Sequence, residues 1–270
     1  MILSVVIITY NEEVHIGRAL ASVQPLVAGG QGEAIVVDCG STDRTVETAK
    51  SLGAKVFVEH WKGYAAQKNS AIDKATGDWI LSLDADEEVS APAVRAIEQL
   101  LGPASDRYRQ FSGFWLNRKN YFLGRWIKHG GFYPDEKLRL FRRGKGRFED
   151  RLVHETVVIE GKTARSRELD LQTGGEIALE HHAYLTLADY IDHMNRYSSL
   201  GAEMVAAKRR LRFSAFDIVA RPAATFLYNY VFRLGFLDGR EGLLLHLYHA
   251  VYVSWKYAKA WELARRRESR

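Results

Sequence analysis

Apolar residues in the first hundred positions fall into short runs that alternate with segments of helical spacing. Residues 3–8 (Leu-Ser-Val-Val-Ile-Ile) form an aliphatic and β-branched run, which is typical of a parallel strand buried on both faces. Further strands are predicted at 34–38, 55–59 and 79–83. Helices are predicted at 12–28, 64–75 and 92–101, and a further helix runs from the capping cluster 41–43 to Ser51. This alternation predicts an α/β fold with a mostly parallel central sheet flanked by helices.

The pattern changes after position 110. Alternating and short apolar segments predict strands at 111–121, 138–141 and 153–160. From position 186 onwards the spacing is strongly helical, with helices predicted at 186–211, 214–234 and 240–264. We therefore predict an α/β domain over residues 1–185 and a helical C-terminal region over residues 186–270.

Composition narrows the classes of protein and site. With 270 residues and 47% hydrophobic content, the chain can bury one large α/β core or a core domain with an appendage. Its one cysteine, Cys39, excludes an intramolecular disulfide framework, a cysteine-based zinc cluster and a CxxC redox site. A reducing, cytoplasmic setting is expected. The first apolar run lacks a basic segment before it and a cleavage site after it, so we interpret it as a strand rather than a signal peptide.

Polar clusters follow three of the predicted strands, at 9–12, 38–43 and 84–86. Ligands of parallel sheets bind beyond the carboxyl ends of the strands, so we expect these clusters to form one site. Asp84 and Asp86 are two carboxylates that could share Mg²⁺ or Mn²⁺ and the nucleotide around it. Such an ion would neutralise charge on a leaving diphosphate. The competing interpretations are an acidic surface turn at 84–86 and simple helix capping at 41–43.

Four segments, in this order, resemble the signature of family-2 inverting glycosyltransferases. They are Ser-Val-Val-Ile-Ile-Thr-Tyr-Asn-Glu at 4–12, Asp-Cys-Gly-Ser-Thr-Asp-Arg-Thr at 38–45, Lys-Asn-Ser-Ala at 68–71 and Asp-Ala-Asp at 84–86. The later sequence resembles the bacterial branch that adds sugars to the lipopolysaccharide core, especially the heptose β-glucosyltransferases. Those stretches are 134–141, 153–155, 181–184, 195–198 and 233–239.

The resemblance implies a GT-A fold, which is Rossmann-like with a mostly parallel sheet, carrying a helical C-terminal extension. It also implies a nucleoside-diphosphate sugar donor, commonly UDP-linked, and a divalent cation. By this resemblance, Thr9, Tyr10 and Glu12 line the nucleotide pocket, and Asp38 contacts the base, with Asp43 and Lys68 nearby. Asp84 contacts the ribose. Asp86 binds the metal, and His181 is a further candidate for a metal ligand.

Inverting transfer needs one general base that deprotonates the acceptor hydroxyl in line with the leaving diphosphate. We predict Glu155 for this role, because the family places an acidic base in the corresponding loop. Asp150 is the second candidate. The alternative interpretation of Glu155 is an exposed residue at the start of a strand.

Basic residues are concentrated in segment 118–151 and in the last residues, 265–270, and the net charge is +5. Such clustering indicates an anionic partner, namely a phosphorylated acceptor, a membrane surface or a nucleic acid, unless it is a solvated face. Residues 242–255 contain no charged side chain, but at ~1.5 Å per residue they span only about 20 Å, less than a bilayer core of ~30 Å. Aromatic residues with flanking lysines and arginines in 240–264 and 208–234 favour peripheral attachment to the inner face of the cytoplasmic membrane, although packing on the catalytic domain or dimerisation would also fit.

The leading hypothesis is sugar transfer from a nucleotide sugar, such as a UDP-hexose, to an anionic, lipid-linked saccharide of the lipopolysaccharide inner core. Polyprenyl phosphate or another envelope glycan is the alternative acceptor. A basic nucleic-acid-binding module is the alternative of a different class, and the sequence carries no recognition signature for it. A dinucleotide-binding dehydrogenase is disfavoured because no G-x-G-x-x-G follows the first strand. The oligomeric state stays open.

Overall fold

The computed structural model describes residues 1–149, 156–169, 174–208 and 214–268. Its strands are β1 Leu3–Thr9, β2 Gly32–Asp38, β3 Lys55–Val58, β4 Trp79–Asp84, β5 Glu87–Val89, β6 Gly113–Phe122, β7 Arg125–Trp126, β8 Glu136–Arg142, β9 Gly146–Phe148, β10 Val157–Ile159, β11 Thr163–Arg165 and β12 Ala178–Tyr184. Its α-helices are α1 Ile16–Val27, α2 Thr45–Ser51, α3 Tyr64–Asp73, α4 Ala91–Leu101, α5 Leu187–Lys208, α6 Arg221–Leu227 and α7 Gly239–Glu268. Short 3₁₀ and π-helical turns connect several of these elements.

The central sheet has the strand order β3-β2-β1-β4-β8-β6-β12-β5, with β7 and β11 also paired to β6. Its first four strands are parallel, whereas β8 runs antiparallel to β4 and to β6, and β12 antiparallel to β5. The α/β prediction is confirmed, and the sheet is mixed. In the parallel part Thr9 lies opposite Asp38, and Ile8 lies opposite Asp84. The polar ends of three strands therefore meet at one edge.

Helices cover both faces of the parallel strands. On one face, Leu20 and Val23 of α1 and Ile97 of α4 join a core that includes alternate residues of β1 and β4. On the other face, Ala71 and Ile72 of α3 pack with the remaining alternate residues. Because β1 is buried on both sides, five of its seven side chains are apolar, which is the pattern that predicted it.

By its contacts the chain divides into two units. Unit 1 comprises Met1–Arg118 and Asp135–His181, and unit 2 comprises Lys119–Pro134 and His182–Arg270. The predicted division at residue 185 stays a prediction, since this contact boundary falls after His181 and also assigns a central segment to unit 2. In unit 2, α5 packs along α7, and its apolar core includes Phe122, Ile127, Tyr190 and Leu245. Among the described residues, no helix is both long enough and apolar enough to cross a membrane.

Within unit 2, a buried carboxylate holds two loops together. Asp238 is 2% exposed and accepts hydrogen bonds from the backbone N–H groups of Lys128 (3.2 Å) and His129 (2.8 Å). The Nδ1 atom of His129 lies 2.9 Å from the same carboxylate. These bonds fix the turn before α7 against the loop that follows β7, and they satisfy a carboxylate that would otherwise be buried at a high free-energy cost.

Candidate active site

The loops that follow β1 and β2 are joined by hydrogen bonds between their backbones and polar side chains. The N–H of Asn11 donates to Oγ of Ser41 (2.8 Å), and Oδ1 of Asn11 accepts from the N–H of Thr42 (2.9 Å). Asn11 adopts a positive φ of 53°, a conformation that asparagine tolerates better than most residues. This loop pair forms one side of the polar edge predicted from the sequence.

Asp38 and Asp43 shape the second loop. The buried Asp38 accepts from the N–H groups of Gly40 and Ser41, both at 2.9 Å, and from the Ser41 hydroxyl. Asp43 accepts from the N–H and hydroxyl of Thr45 at the start of α2. Burial acts to raise the pKa of Asp43, but these bonds and further backbone hydrogen bonds outweigh it and lower that pKa below its ordinary value. The capping interpretation therefore accounts for part of this segment. A base contact by Asp38 stays a prediction.

The first loop carries three predicted nucleotide-pocket residues in different environments. Thr9 is buried, and its hydroxyl has no hydrogen-bond partner among the described residues. Tyr10 is 58% exposed. Glu12 is paired with His15, with Oε2 2.9 Å from Nδ1. A buried unpartnered hydroxyl beside an exposed aromatic ring is a suitable arrangement for a polar ligand that stacks on the ring.

Asp84 is the centre of a buried charge network. Its Oδ1 lies 2.8 Å from Nζ of Lys68, and its Oδ2 is in contact with Nη2 of Arg139. Burial acts to raise the pKa of Asp84, but the charges of Arg139 and Lys68 outweigh it and hold that pKa well below its usual range. Asp84 is therefore a fixed anion, and its two oxygens are already engaged by cations.

Glu87, Arg118 and Asp135 extend the network. Glu87 is fully buried; its Oε1 accepts from Arg139 (2.8 Å) and lies 3.3 Å from Arg118, and its Oε2 accepts from the N–H of Asp84 (3.0 Å). Arg118 also donates from Nε to Asp135 at 2.9 Å. Burial acts to lower the pKa of both arginines, but the neighbouring carboxylates raise it above the ordinary value. The network thus holds the Asp84 end of β4 through its contacts with Lys68, Arg139 and Glu87.

Among the described residues Asp86 forms an ion pair with His181 rather than with these cations. The Nε2 atom of His181 lies 3.3 Å from Oδ2 of Asp86, and the side chains are 16% and 22% exposed. Burial acts to raise the pKa of Asp86, but the charge and hydrogen bond of His181 lower it below the ordinary value. The two residues predicted as metal ligands are therefore neighbours, brought together by β12 pairing with β5.

The Asp86–His181 pair fits a divalent cation that is shared with a ligand. Two donors bound to one Mg²⁺ at right angles stand about 3 Å apart, since each bond is about 2.1 Å long, and the observed separation is 3.3 Å. In the part of the chain that the structure describes, no three histidine, cysteine, aspartate or glutamate side chains are grouped to hold a metal by themselves. Diphosphate oxygens and water would have to complete the coordination, as is usual for this ion.

A hairpin places Phe148, at the end of β9, beside Lys68 and Asn69. The side-chain amide of Asn69 forms two 2.9 Å hydrogen bonds with the backbone of Phe148, and Nζ of Lys68 lies 5.1 Å from the centre of the Phe148 ring. The N–H of Glu149 then donates to the carbonyl of Thr156 (3.0 Å). Asp150, His154 and Glu155 lie between these two residues and outside the described residues.

Sequence reasoning missed four charged residues of this site: His15, Glu87, Arg118 and Arg139. The last two were counted in the basic segment 118–151 as part of a possible surface for an anionic partner, but both are paired with buried acids. A signal was available for Arg139, because it stands within Leu-Arg-Leu-Phe, where its neighbours are all buried. For His15, the hydrogen bond with Glu12 raises its pKa, and the charge of Asp86 contributes in the same direction, against burial.

The chain is similar to known proteins over most of its length. The model of Glycosyl transferase family 2 matches residues 4–170. The lipopolysaccharide core biosynthesis glycosyltransferase LpsC of Rhizobium meliloti is 32% identical over 268 residues, which cover 96% of this chain and 92% of the relative. An uncharacterized glycosyltransferase of Rickettsia typhi is 32% identical over 267 residues, covering 97% and 87%. Both similarities extend through the two units.

A partial similarity also exists to a solved structure. Glucosyl-3-phosphoglycerate synthase from Mycobacterium tuberculosis, in complex with Mn²⁺, UDP and glucosyl-3-phosphoglycerate, is 27% identical, with a TM-score of 0.34. The matched part covers 44% of this chain and 43% of the synthase. The similarity is confined to less than half of either chain.

Proposed function

The chain belongs to glycosyl transferase family 2, and we propose that it transfers a hexose, with inversion, from a UDP-sugar to a lipid-linked saccharide of the lipopolysaccharide inner core. Two observations support this acceptor: the 32% identity to LpsC along nearly the whole chain, and the basic stretches of the sequence, which suit an anionic acceptor. The reaction would take place at the inner face of the cytoplasmic membrane.

One structural observation carries the proposed donor site. Asp84 is neutralised by Lys68 and Arg139, whereas among the described residues Asp86, two residues further on, pairs with His181. The two carboxylates can therefore do different work. Asp84, held rigid, is suited to orient a ribose hydroxyl, and Asp86 with His181 is suited to ligate Mg²⁺ or Mn²⁺. The cation would neutralise the charge that develops on the leaving diphosphate.

The loops after β1 and β2 would hold the nucleotide. The Thr9 hydroxyl, which has no hydrogen-bond partner in the described part of the chain, and the exposed ring of Tyr10 are available to a ligand. Asp38 and Asp43 keep the second loop in shape through the hydrogen bonds they accept. A contact between Asp38 and the base would need a hydrogen bond beyond these, which a carboxylate can accept because it offers about four lone-pair sites.

Inverting transfer forms the bond from the acceptor oxygen to the anomeric carbon while the bond from that carbon to the diphosphate breaks. The acceptor proton passes to a carboxylate, for which Glu155 is the first candidate and Asp150 the second. The hydrogen bond between Glu149 and Thr156 and the contacts of Phe148 with Lys68 and Asn69 support this assignment. They place Phe148, two residues before Asp150 in the sequence, beside Lys68, which binds Asp84.

The experiment that tests the donor site is a thermal-shift screen of nucleoside-diphosphate sugars with Mn²⁺, followed by transfer to a truncated lipopolysaccharide core. A donor that binds only the folded protein raises its melting temperature. We expect stabilisation by a UDP-hexose and transfer to the core saccharide. Stabilisation without transfer to any lipopolysaccharide core, but with transfer to polyprenyl phosphate, would replace the proposed acceptor. The absence of stabilisation by every nucleotide sugar would contradict the donor site.

A further inference from the structure

One stretch of unit 2 exposes an unusual surface, which we call the apolar-arginine face. It is formed by the exposed residues between Ala215 and Leu247, all of which the structure describes. Each of them is aliphatic, aromatic or arginine. The largest fractional exposures are those of Phe232 (76%), Val219 (66%) and Phe216 (64%). The other large apolar members are Leu227, Tyr228, Val231, Leu234, Phe236, Leu237, Leu243 and Leu247.

The spacing of these residues shows that the exposure belongs to one side of a helical segment. From Phe216 to Phe232 the chain is continuously helical, through α6 and the π-helical turn at each of its ends. Its exposed apolar residues recur every three to four positions, at 216, 219–220, 223–224, 227–228 and 231–232, and Arg221 is also exposed there. A helix on the surface of a soluble protein normally turns a polar stripe to water. Here the stripe that is turned outwards is apolar, which marks an interaction surface.

The exposed charges of this face that have no partner among the described residues are all positive. Of its arginines, Arg221 is paired with Asp217 (2.7 Å), whereas Arg233 and Arg240 have no carboxylate partner among the described residues. The acid at the start of α7, Glu241, is only partly exposed and lies 3.6 Å from Arg125. The face therefore offers apolar side chains and arginine, and no exposed carboxylate.

We infer that the apolar-arginine face inserts into the interfacial region of an anionic lipid bilayer. Aromatic and aliphatic side chains on one side of a helix, together with arginine, are the composition of segments that lie in the plane of a membrane. A second copy of this chain is a poorer partner. A two-fold contact would bring Arg233 and Arg240 of both copies into one interface with no exposed acid on that face to pair with them.

This surface overlaps the segment 208–234 that was predicted from the sequence, but it includes only the first turns of the other predicted segment, 240–264. The aromatic residues of α7 beyond position 247, including Tyr252, Trp255 and Trp261, are partly buried. The exposed apolar residues instead lie before them, around α6 and the first turns of α7. The inference rests on the proposed function only in its choice of membrane, since an enzyme with a lipid-linked acceptor must reach a bilayer. The surface itself is defined by exposure and charge.

The test is flotation of the full chain with vesicles of phosphatidylcholine and phosphatidylglycerol, compared with vesicles of phosphatidylcholine alone. We expect the wild type to float with the anionic vesicles. The variant Phe216→Ser/Leu227→Ser/Phe232→Ser should bind them at least about tenfold more weakly, because three exposed apolar anchors are removed. The matched control, Ile2→Ser/Val158→Ser/Leu200→Ser, replaces three exposed apolar residues from other surfaces and should float like the wild type.

Two further readouts make the outcome decisive. The melting temperature and the stabilisation by a UDP-sugar should be the same in both variants, which separates a loss of lipid binding from a loss of fold or donor site. Equal flotation of the wild type and the first variant would overturn the inference. The inference would also be overturned if the wild type bound neither kind of vesicle but formed a dimer that the first variant did not form. In that case a second copy of the chain would cover this face.

Discussion

Lys68 and Asp84 form an ion pair of 2.8 Å that links helix α3 to the carboxyl end of strand β4. The side chain of Lys68 is buried, with only 6% of its surface exposed to water. The carboxylate of Asp84 is shared with Arg139, which in turn binds Glu87. The strand end that precedes Asp86 is therefore fixed by buried charges before any ligand arrives, and such preorganisation is what a site for a charged diphosphate requires.

The buried network gives a prediction about stability. Glu87→Gln removes the charge that compensates Arg139 and Arg118 while it preserves the shape of the side chain. Breaking a buried charge network by removing one partner costs about 3–5 kcal/mol, so we expect the free energy of unfolding to fall by that order in a urea titration. The matched control is Glu160→Gln, which removes an exposed partner of Lys145 and should change the free energy by less than about 1 kcal/mol. Equal effects of the two substitutions would show that the network contributes no more than a surface pair.

A second prediction separates the two carboxylates of the Asp-Ala-Asp triplet. Asp86→Ala should lower metal-dependent transfer by at least ~10²-fold, because it removes a ligand of the cation that neutralises the leaving group. The fold should persist, since Asp86 is not among the cations and anions of the buried network. The measurement is initial rate against Mn²⁺ concentration, with a thermal melt of each protein. Wild-type turnover that is undiminished in EDTA would contradict the metal assignment.

The sequence predicted correctly those strands that are buried on both faces, because such burial requires an uninterrupted run of mostly apolar residues. β1, β2 and β4 are runs of apolar residues because helices cover both sides of them, and the polar ends of these strands then had to lie at one edge. In contrast, β5 carries Glu87, β12 carries Glu180 and His181, and neither strand is an apolar run or alternates regularly between apolar and polar residues. Their pairing depends on distant parts of the chain, so local pattern did not reveal it.

The buried charges show a second reason for incomplete prediction. Arg118 and Arg139 look like any other members of a basic segment until the acids that face them are known. Those acids come from the end of β4, from β5 and from the residue before β8, at positions 84, 87 and 135. Likewise, the proximity of His181 to Asp86 could be proposed only through family resemblance. The topology of the sheet determines which charged residues far apart in sequence become neighbours. The local spacing of apolar and polar residues contains no information about this pairing.

A third prediction concerns the general base. Glu155→Gln should keep binding of the UDP-sugar but lose transfer by at least ~10²-fold, because the amide cannot accept the acceptor proton. Asp150→Asn serves as the matched variant in the same segment and should retain most of the activity. The measurement is single-turnover transfer beside a thermal-shift titration of the donor. The reverse ranking of the two variants would assign the role to Asp150, and near-normal transfer by both would place the base elsewhere.

The fourth prediction is a dependence of stability on pH that originates at His246. Its side chain is 1% exposed, and in the described part of the chain neither ring nitrogen has a hydrogen-bond partner. Burial, with a smaller contribution from His249, lowers the pKa of His246 from 6.5 to about 4. Between these two values the unfolded chain binds the proton and the folded chain does not. Stability is therefore complete above about pH 6.5 and falls as the pH is lowered towards 4.

The size of this effect follows from the shift. Since one pKa unit corresponds to about 1.4 kcal/mol, the loss attributable to His246 can reach about 3 kcal/mol at pH 4. The variant His246→Leu should remove it, so the difference in unfolding free energy between variant and wild type should change in favour of the variant from pH 7 to pH 4.5. Glu33 and Glu59, whose pKa values are lowered to about 2, lose their contributions below about pH 4.5 and do so equally in both proteins. A difference that stays constant across this range would mean that His246 is not held neutral in the folded state.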